Sequence, residues 1–269
     1  MNNNYIPDFL TRSLPILTEA GIKKLQKVTV GVAGCGGVGG TYAVTLARLG
    51  VRSFLLADPG VFDPPDINRQ WAASTETLGQ NKAVVYETIL KNINPKIKIL
   101  TYTRGITHEN AGDFVQQVEL IADCLDAKVD INLRGKLYDC ARKKGIYAIT
   151  FPILGFGGLC ATSSPDGMSM DIFLTLLSRA MKAKIPAKLK ETFVPEHVRI
   201  VEDGIKKGFI PSLGIATNVI PSVASTESLL ILIKTGLPGA RKPVILPKII
   251  MVDFFNMKYT IEDIRKILE

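Results

Sequence analysis

Cysteine and histidine are scarce in this sequence, and the way the few are placed excludes several kinds of chemistry. The four cysteines, Cys35, Cys124, Cys140 and Cys160, form no Cys-x-x-Cys pair, so a structural zinc site is not expected. They stand in glycine-rich or apolar surroundings and read as buried, reduced thiols of a cytoplasmic protein. No cysteine follows Cys160. The two histidines, His108 and His197, read as surface residues rather than a catalytic or metal-binding pair. Aromatic residues make up 7% of the chain and the basic residues are scattered, which argues against a nucleic-acid partner. The N-terminal Met1-Asn2-Asn3-Asn4-Tyr5 has neither a basic n-region nor an apolar h-region, so no secretory signal is expected. Internal repeats and low-complexity linkers are absent.

Two stretches without charge, residues 147–165 and 208–226, are long enough to raise the question of a membrane. Pro152, Gly155, Gly157 and Gly158 interrupt the first; Pro211, Gly214, Asn218 and Pro221 interrupt the second. These breakers predict buried sheet edges and turns, and no membrane partner. The composition, 46% hydrophobic and 22% charged over 269 residues, is that of a globular protein with one large α/β domain. The net charge of +8 favours polyanionic ligands, a nucleoside triphosphate among them.

Strand-like and helix-like runs alternate from Lys27 onward. Val28 to Ala33 is a short run rich in β-branched residues that ends on glycines, as a buried parallel strand does. Tyr42 to Leu49 carries apolar residues at helical spacing, with Gly50 as a C-cap. Ser53 to Ala57 predicts a second strand, and 66–77 a loop. A helix and then a strand follow over 80–100, broken at Asn94-Pro95. Leu120 to Ala122 and Ile146 to Ile149 complete the strands of this part. The pattern predicts an α/β fold with a Rossmann-like, doubly wound, mostly parallel sheet. A few antiparallel strands and a helical C-terminal excursion are expected beyond it. Residues 1–26 read as an N-terminal arm, 27–150 as a nucleotide-binding core and 151–269 as the substrate side. In the last part, 171–201 reads as Lys-rich helix broken at Pro186 and Pro195. Residues 221–234 read as a helix, 243–255 as closing strands and 261–268 as a terminal helix.

Gly34-Cys35-Gly36-Gly37-Val38-Gly39-Gly40 carries Gly-x-Gly-x-x-Gly between a strand and a helix, the context a nucleotide fingerprint requires. Gly34, Gly36, Gly37 and Gly39 let the backbone turn and approach a phosphate at a helix N-terminus. Asp58 ends the next strand, where a carboxylate can accept both ribose hydroxyls. These features suit a nicotinamide or flavin oxidoreductase as well as an ATP-using enzyme. Arg69 and Lys82 favour the second, because a triphosphate needs cations around its departing phosphates.

In series, the glycine loop, Asp58-x4-Asp63, Asn68-Arg69-Gln70, Gly79-x2-Lys82, Ile93-Asn94-Pro95 and Asp123-Cys124-Leu125-Asp126 resemble the ThiF/MoeB-type adenylyltransferases related to ubiquitin-activating enzymes. The resemblance runs over about 11–140, with a weaker echo in 221–236. It implies an enzyme that adenylates a carboxylate with ATP and Mg²⁺. The carboxylate would be the C-terminus of a ubiquitin-like or sulfur-carrier protein or peptide. By resemblance, Asp58 would hold the ribose, and Asn68, Arg69 and Gln70 would meet the phosphates. Lys82 would lie on the α-phosphate side, and Asp126 would hold Mg²⁺. Arg12 would reach across a homodimer to the partner's ATP, and Glu227 would be structural.

The sequence departs from the family at three places. Asp66 stands where asparagine is common, bringing an extra carboxylate beside the phosphates. Ile131 occupies the place of an arginine, which Arg134 could replace one turn later. The zinc-binding cysteine pairs of many relatives are missing. A nucleotide-binding pseudoenzyme is therefore kept as an alternative, as is adenylation of modified tRNA on the strength of the net charge alone. Cys160 reads as a core residue rather than a transfer nucleophile. The Lys-rich 174–207 segment reads either as a lid or docking surface or as a solvated helical face.

Overall fold

The structure, a computed structural model, describes residues 6–269, the side chain of Thr235 excepted; the first five residues of the N-terminal arm lie outside the described residues. Two short helices, α1 (Leu14–Leu17) and α2 (Glu19–Leu25), lead into β1 (Thr29–Ala33), α3 (Gly37–Arg48) and β2 (Ser53–Ala57). Then come α4 (Lys82–Ile93), β3 (Lys98–Tyr102), α5 (Ala111–Gln116), β4 (Leu120–Asp123), α6 (Ile131–Lys144) and β5 (Tyr147–Thr150). The last part contains β6 (Ile153–Leu154), β7 (Gly157–Ser163), α7 (Asp171–Met181), α8 (Pro195–Lys206) and α9 (Gly214–Leu232). It closes with β8 (Lys248–Asp253), β9 (Lys258–Asp263) and α10 (Ile264–Leu268).

The sheet is mixed, with order β3-β2-β1-β4-β5-β7-β8-β9 and β6 paired to β7. From β3 to β5 every pairing is parallel; β7, β8 and β9 are added antiparallel. Helices cover both faces, as the alternating pattern requires. Tyr42 and Leu46 of α3, Tyr86 and Leu90 of α4, and Ile220 and Ala224 of α9 fill one core. Phe114 of α5, Leu137 of α6, Phe173 of α7 and Val198 of α8 fill the other. Strands β2 and β3 are added on one side of β1, and β4 and β5 on the other, which makes the junction of β1 and β4 the switch point where open α/β sheets bind ligands. Ala57, Ala33, Asp123 and Thr150 sit side by side in register. The loops that follow them therefore leave the sheet along one edge.

Several local expectations are corrected. Residues 208–226 do not form sheet edges and turns: α9 starts at Gly214 and carries Pro221 inside it. Proline there removes one helical N–H···O bond, but burial between α3 and β7 outweighs that loss. α9 is long and apolar enough to cross a membrane by length and composition, with mean hydropathy 1.4. Its packing against α3 and β7 accounts for that character, since a helix covered on several sides is apolar on several sides. The helical run is interrupted before Pro195, as expected, and Pro195 is the first residue of α8, where a missing N–H costs no hydrogen bond. Residues 258–263, in part expected to be helical, form β9, paired along its length to β8. The 174–207 segment packs its apolar side on the sheet. Leu174, Leu176, Leu189, Phe193 and Val201 are buried in the second core, and its lysines are on the outer side.

Candidate active site

The glycine loop leaves β1 through Gly34, whose φ of +99° belongs to the left-handed region. A Cβ at Gly34 would also strike the carbonyl of Cys124, so only glycine lets the β1 and β4 loops lie together. The Gly34 N–H donates to Ala57 O (2.7 Å) and the Cys124 N–H to Ala33 O (2.7 Å), continuing the ladder past the strand ends. Gly36 faces more open space: a Cβ there would meet nothing nearer than the Gln70 side-chain amide at 3.8 Å. That is the place left for a ligand to approach the backbone.

Asp58 closes β2 with both oxygens engaged. Oδ2 accepts from the Cys35 N–H (2.6 Å) and Oδ1 from the Gly60 N–H (2.7 Å). Burial pushes its carboxyl above the ordinary value, and the Gly60 and Cys35 N–H groups and Lys82 offset part of that. Beside it lies a segment expected to be a loop, 66–77. Its beginning is instead a 3₁₀ turn, Pro64–Asn68, held by a reciprocal cap between Asp63 and Asp66. Asp-Pro-Pro-Asp with proline at the first helical positions is a capping signal that was legible in the sequence.

Asp66 is buried and gathers the predicted phosphate ligands around itself. Its Oδ2 lies 3.0 Å from Lys82 Nζ, and its Oδ1 lies 3.2 Å from Arg69 Nη2. Gln70 Nε2 donates to Oδ1 at 2.5 Å, while Asp63 N–H donates to Oδ2 at 3.1 Å. Arg69 Nη1 also donates to Pro65 O (2.7 Å) and Asn68 Oδ1 (3.1 Å). Lys82 opens α4, whose N-cap Asn81 accepts from Val84 N–H, and lies 5.6 Å over the Phe62 ring. Gln70 Oε1 is buried without a partner. With the amide N–H bound to Asp66, this oxygen is an acceptor beside Gly36, suited to a hydroxyl or amino donor of a nucleoside.

The β4 loop is anchored from below. Arg134 of α6 is buried and pairs with Asp123 Oδ2 at 3.0 Å. Its Nη2 donates to the carbonyls of Leu125 and Asp126, each at 2.8 Å. Tyr138 donates to the same Asp123 oxygen. Arg134 therefore does not replace the missing phosphate arginine; it shapes the loop. Asp126 is exposed at the edge, with Oδ1 accepting from the Lys128 N–H. Among the described residues no group of three or more His, Cys, Asp or Glu is placed to hold a metal. A single carboxylate completed by phosphates and water is nonetheless a common Mg²⁺ arrangement.

Arg12 is not brought to this edge. It is exposed and follows Leu10, which packs at Gly50 beyond the far end of α3. Spanning 12 residues, that helix is about 18 Å long. Burial pushes the thiols of Cys35, Cys124 and Cys160 well above the ordinary range, which suits core residues and not nucleophiles. Glu227 is fully buried in α9 and accepts from Arg241 and from Val244 N–H, so it holds down the following loop. His108 is exposed, but His197 is not the surface residue expected. Its ring lies 5.1 Å from Phe156 and 5.0 Å from Phe255.

The ThiF family model matches residues 10–266. The chain belongs to the ThiF family. Protein HesA of Nostoc sp. (strain PCC 7120) is 38% identical over 111 residues, 41% of this chain and 44% of that protein. The adenylyltransferase and sulfurtransferase MOCS3 of Xenopus laevis is 36% identical over 124 residues, 45% of this chain and 28% of that protein. The chain thus spans less than half the length of these curated ThiF relatives. The crystal structure of E. coli MccB with ATP superimposes with a TM-score of 0.70 at 16% identity, over 97% of this chain and 73% of that one. Selenomethionine PaaA gives 0.69 at 18% identity, over 90% and 75%. These structures share the fold described above.

Proposed function

We propose that this ThiF-family protein activates a substrate carboxylate with ATP, forming an acyl-adenylate and releasing pyrophosphate. The observation that carries this reading is the convergence of Arg69, Lys82 and Gln70 at the switch point, next to Gly36. With the carboxylate Asp58 at the ribose position rather than a cation for a 2′-phosphate, a pair of cations beyond it suits the outer phosphates of a triphosphate. A carboxylate oxygen attacks the α-phosphorus, the new C–O–P linkage forms, and the bond to the bridging oxygen breaks with its electrons leaving on pyrophosphate. The attacking carboxylate is ionised at neutral pH, so no general base is needed. Arg69 and Lys82 stabilise the charge that develops on the departing phosphates. Asp58 and the glycine loop hold the nucleoside end. Asp126 would hold Mg²⁺, which supplies further charge neutralisation when bound.

For the substrate, we assign the C-terminus of a protein or peptide, of ubiquitin-like or sulfur-carrier type, entering over residues 151–269. Supporting this choice, MccB has been solved with MccA as well as with ATP, and MOCS3 is named for adenylyl and sulfur transfer. We assign Arg12 to the nucleotide of a second copy in a homodimer. The placement of Leu10 at the far end of α3 keeps Arg12 from its own glycine loop. Phe9 and Trp71, exposed at 44% and 55%, with Ile89 and Ile93, line a surface cavity of about 550 Å³ on that side, suited to burial between copies. We place the protein in the cytoplasm, where its thiols stay reduced. Buried Asp66, already paired with both cations, favours one competing reading, nucleotide binding without turnover.

Thermal shifts with ATP·Mg²⁺ and with NAD⁺ test the nucleotide. Ligand at a hundred times its Kd adds about 2.7 kcal/mol to stability. Stabilisation by NAD⁺ with indifference to ATP would reject adenylation. ATP binding with no substrate-dependent ATP–pyrophosphate exchange across candidate carboxylates would favour the inactive reading.

A further inference from the structure

Both Arg69 and Lys82 pair with the Asp66 carboxylate, and its surroundings leave it little freedom. Its side chain is 9% exposed, against 27% for Arg69 and 14% for Lys82. Charges this sheltered interact through protein more than through water, so the pairing is not screened away as a surface ion pair would be. The Asp63 N–H and the Gln70 amide fix the carboxylate from the remaining sides. The geometry points to Asp66 as an internal counter-anion that occupies the phosphate clamp until a polyphosphate displaces it. This inference rests on the adenylation reading above.

Two consequences follow from charge alone. Without ligand, Asp66 keeps two neighbouring cations paired and ordered, so the clamp is preformed. When the phosphates arrive, Lys82, on the flexible stem that crosses Gly60, turns from the carboxylate to the ligand. Asp66 then stands close to phosphate of like sign. It therefore weakens polyphosphate binding and assists release of pyrophosphate after the reaction. A residue that only braced the turn would do the reverse, since its removal would loosen the site and weaken binding.

Asp66→Asn preserves shape and an acceptor while removing the charge. We expect the variant to bind ATP and inorganic tripolyphosphate about fivefold more tightly or better by titration calorimetry, the gain expected from removing one nearby like charge. Adenosine should bind the same. Pyrophosphate release should slow, so KM for ATP and kcat fall together. A folded variant that binds tripolyphosphate no more tightly than wild type would overturn the inference alone. Wild type that binds neither ATP nor tripolyphosphate would overturn the adenylation reading with it. If the variant does not fold, the wild-type structure with the β,γ-methylene analogue of ATP decides. Lys82 Nζ more than 4 Å from Asp66 is expected, and retention of the 3.0 Å pair would overturn the inference.

Discussion

Thr217, in the first turn of α9, donates a 2.7 Å hydrogen bond to the backbone carbonyl of Arg69, 148 residues earlier in the chain. Around it the two segments are in close contact. A Cβ at Gly37 would lie 2.7 Å from the Thr217 methyl, and one at Gly214 2.9 Å from the Asn68 carbonyl. Asn68 Nδ2 also donates to Ser212 O at 3.3 Å. The turn bearing Asn68, Arg69 and Gln70 is thus held between the glycine loop and the start of α9.

Thr217→Val keeps the shape and deletes the donor. The expected loss is about 1 kcal/mol in unfolding free energy, with a severalfold rise in the Kd for ATP. A stability loss by urea titration with unchanged ATP affinity would show that the turn does not depend on α9.

Asp126 and Arg134 should separate chemistry from scaffold. Asp126→Asn changes an exposed side chain, so the Tm should stay within a degree or two while turnover falls or needs far more Mg²⁺. Arg134→Met strips Asp123 of its buried partner and should cost about 3–5 kcal/mol. Full activity of Asp126→Asn at every Mg²⁺ concentration would remove it from the site.

If Arg12 completes the site of a second copy, Arg12→Ala and Arg69→Ala should each be inactive alone. Arg69→Ala should lose on the order of 10²-fold or more in turnover. Mixed, they should recover activity, because a mixed dimer contains one intact site. No recovery, or a monomer by light scattering, would place Arg12 outside the reaction.

Direct hand-over of the acyl group is expected, because Cys35 and Cys160 are buried and Cys124 half-buried, all three with raised pKa values. Replacing Cys124, Cys140 and Cys160 with alanine or serine should preserve ATP–pyrophosphate exchange with the true substrate, with some loss of packing. A substrate-dependent, thiol-labile adduct on Cys160, found by mass spectrometry, would contradict this.

Asp58 makes a pH prediction of definite sign. Its folded pKa lies above the usual 3.8, so the native state holds this proton more tightly than the unfolded chain does. At neutral pH the ionised group therefore costs stability, and the cost shrinks as pH falls through the folded value toward 3.8. The Tm of wild type minus that of Asp58→Asn should increase on going from pH 7 to pH 4.5, other carboxylates cancelling in the difference. A flat or falling difference would contradict the assignment.

Local pattern determined much of this protein. The β-branched run before Gly34, the glycine loop and the alternation of strand and helix up to residue 150 specify a doubly wound sheet, because each signal acts over a few residues. The ordered series from Asp58 to Asp126 likewise named the edge where the candidate site lies, since parallel strands put all their carboxyl ends together. Even the Asp63–Asp66 cap could have been read locally. Only the tertiary structure decided that Pro221 lies inside a helix, that Arg134 braces the Asp126 loop, and that Thr217 closes on Arg69. It also decided that Asp66 holds both cations. Each of these is a contact between segments separated in the chain, or a local preference overridden by burial. Their energies depend on which groups lose water together, and that is settled only when the elements pack.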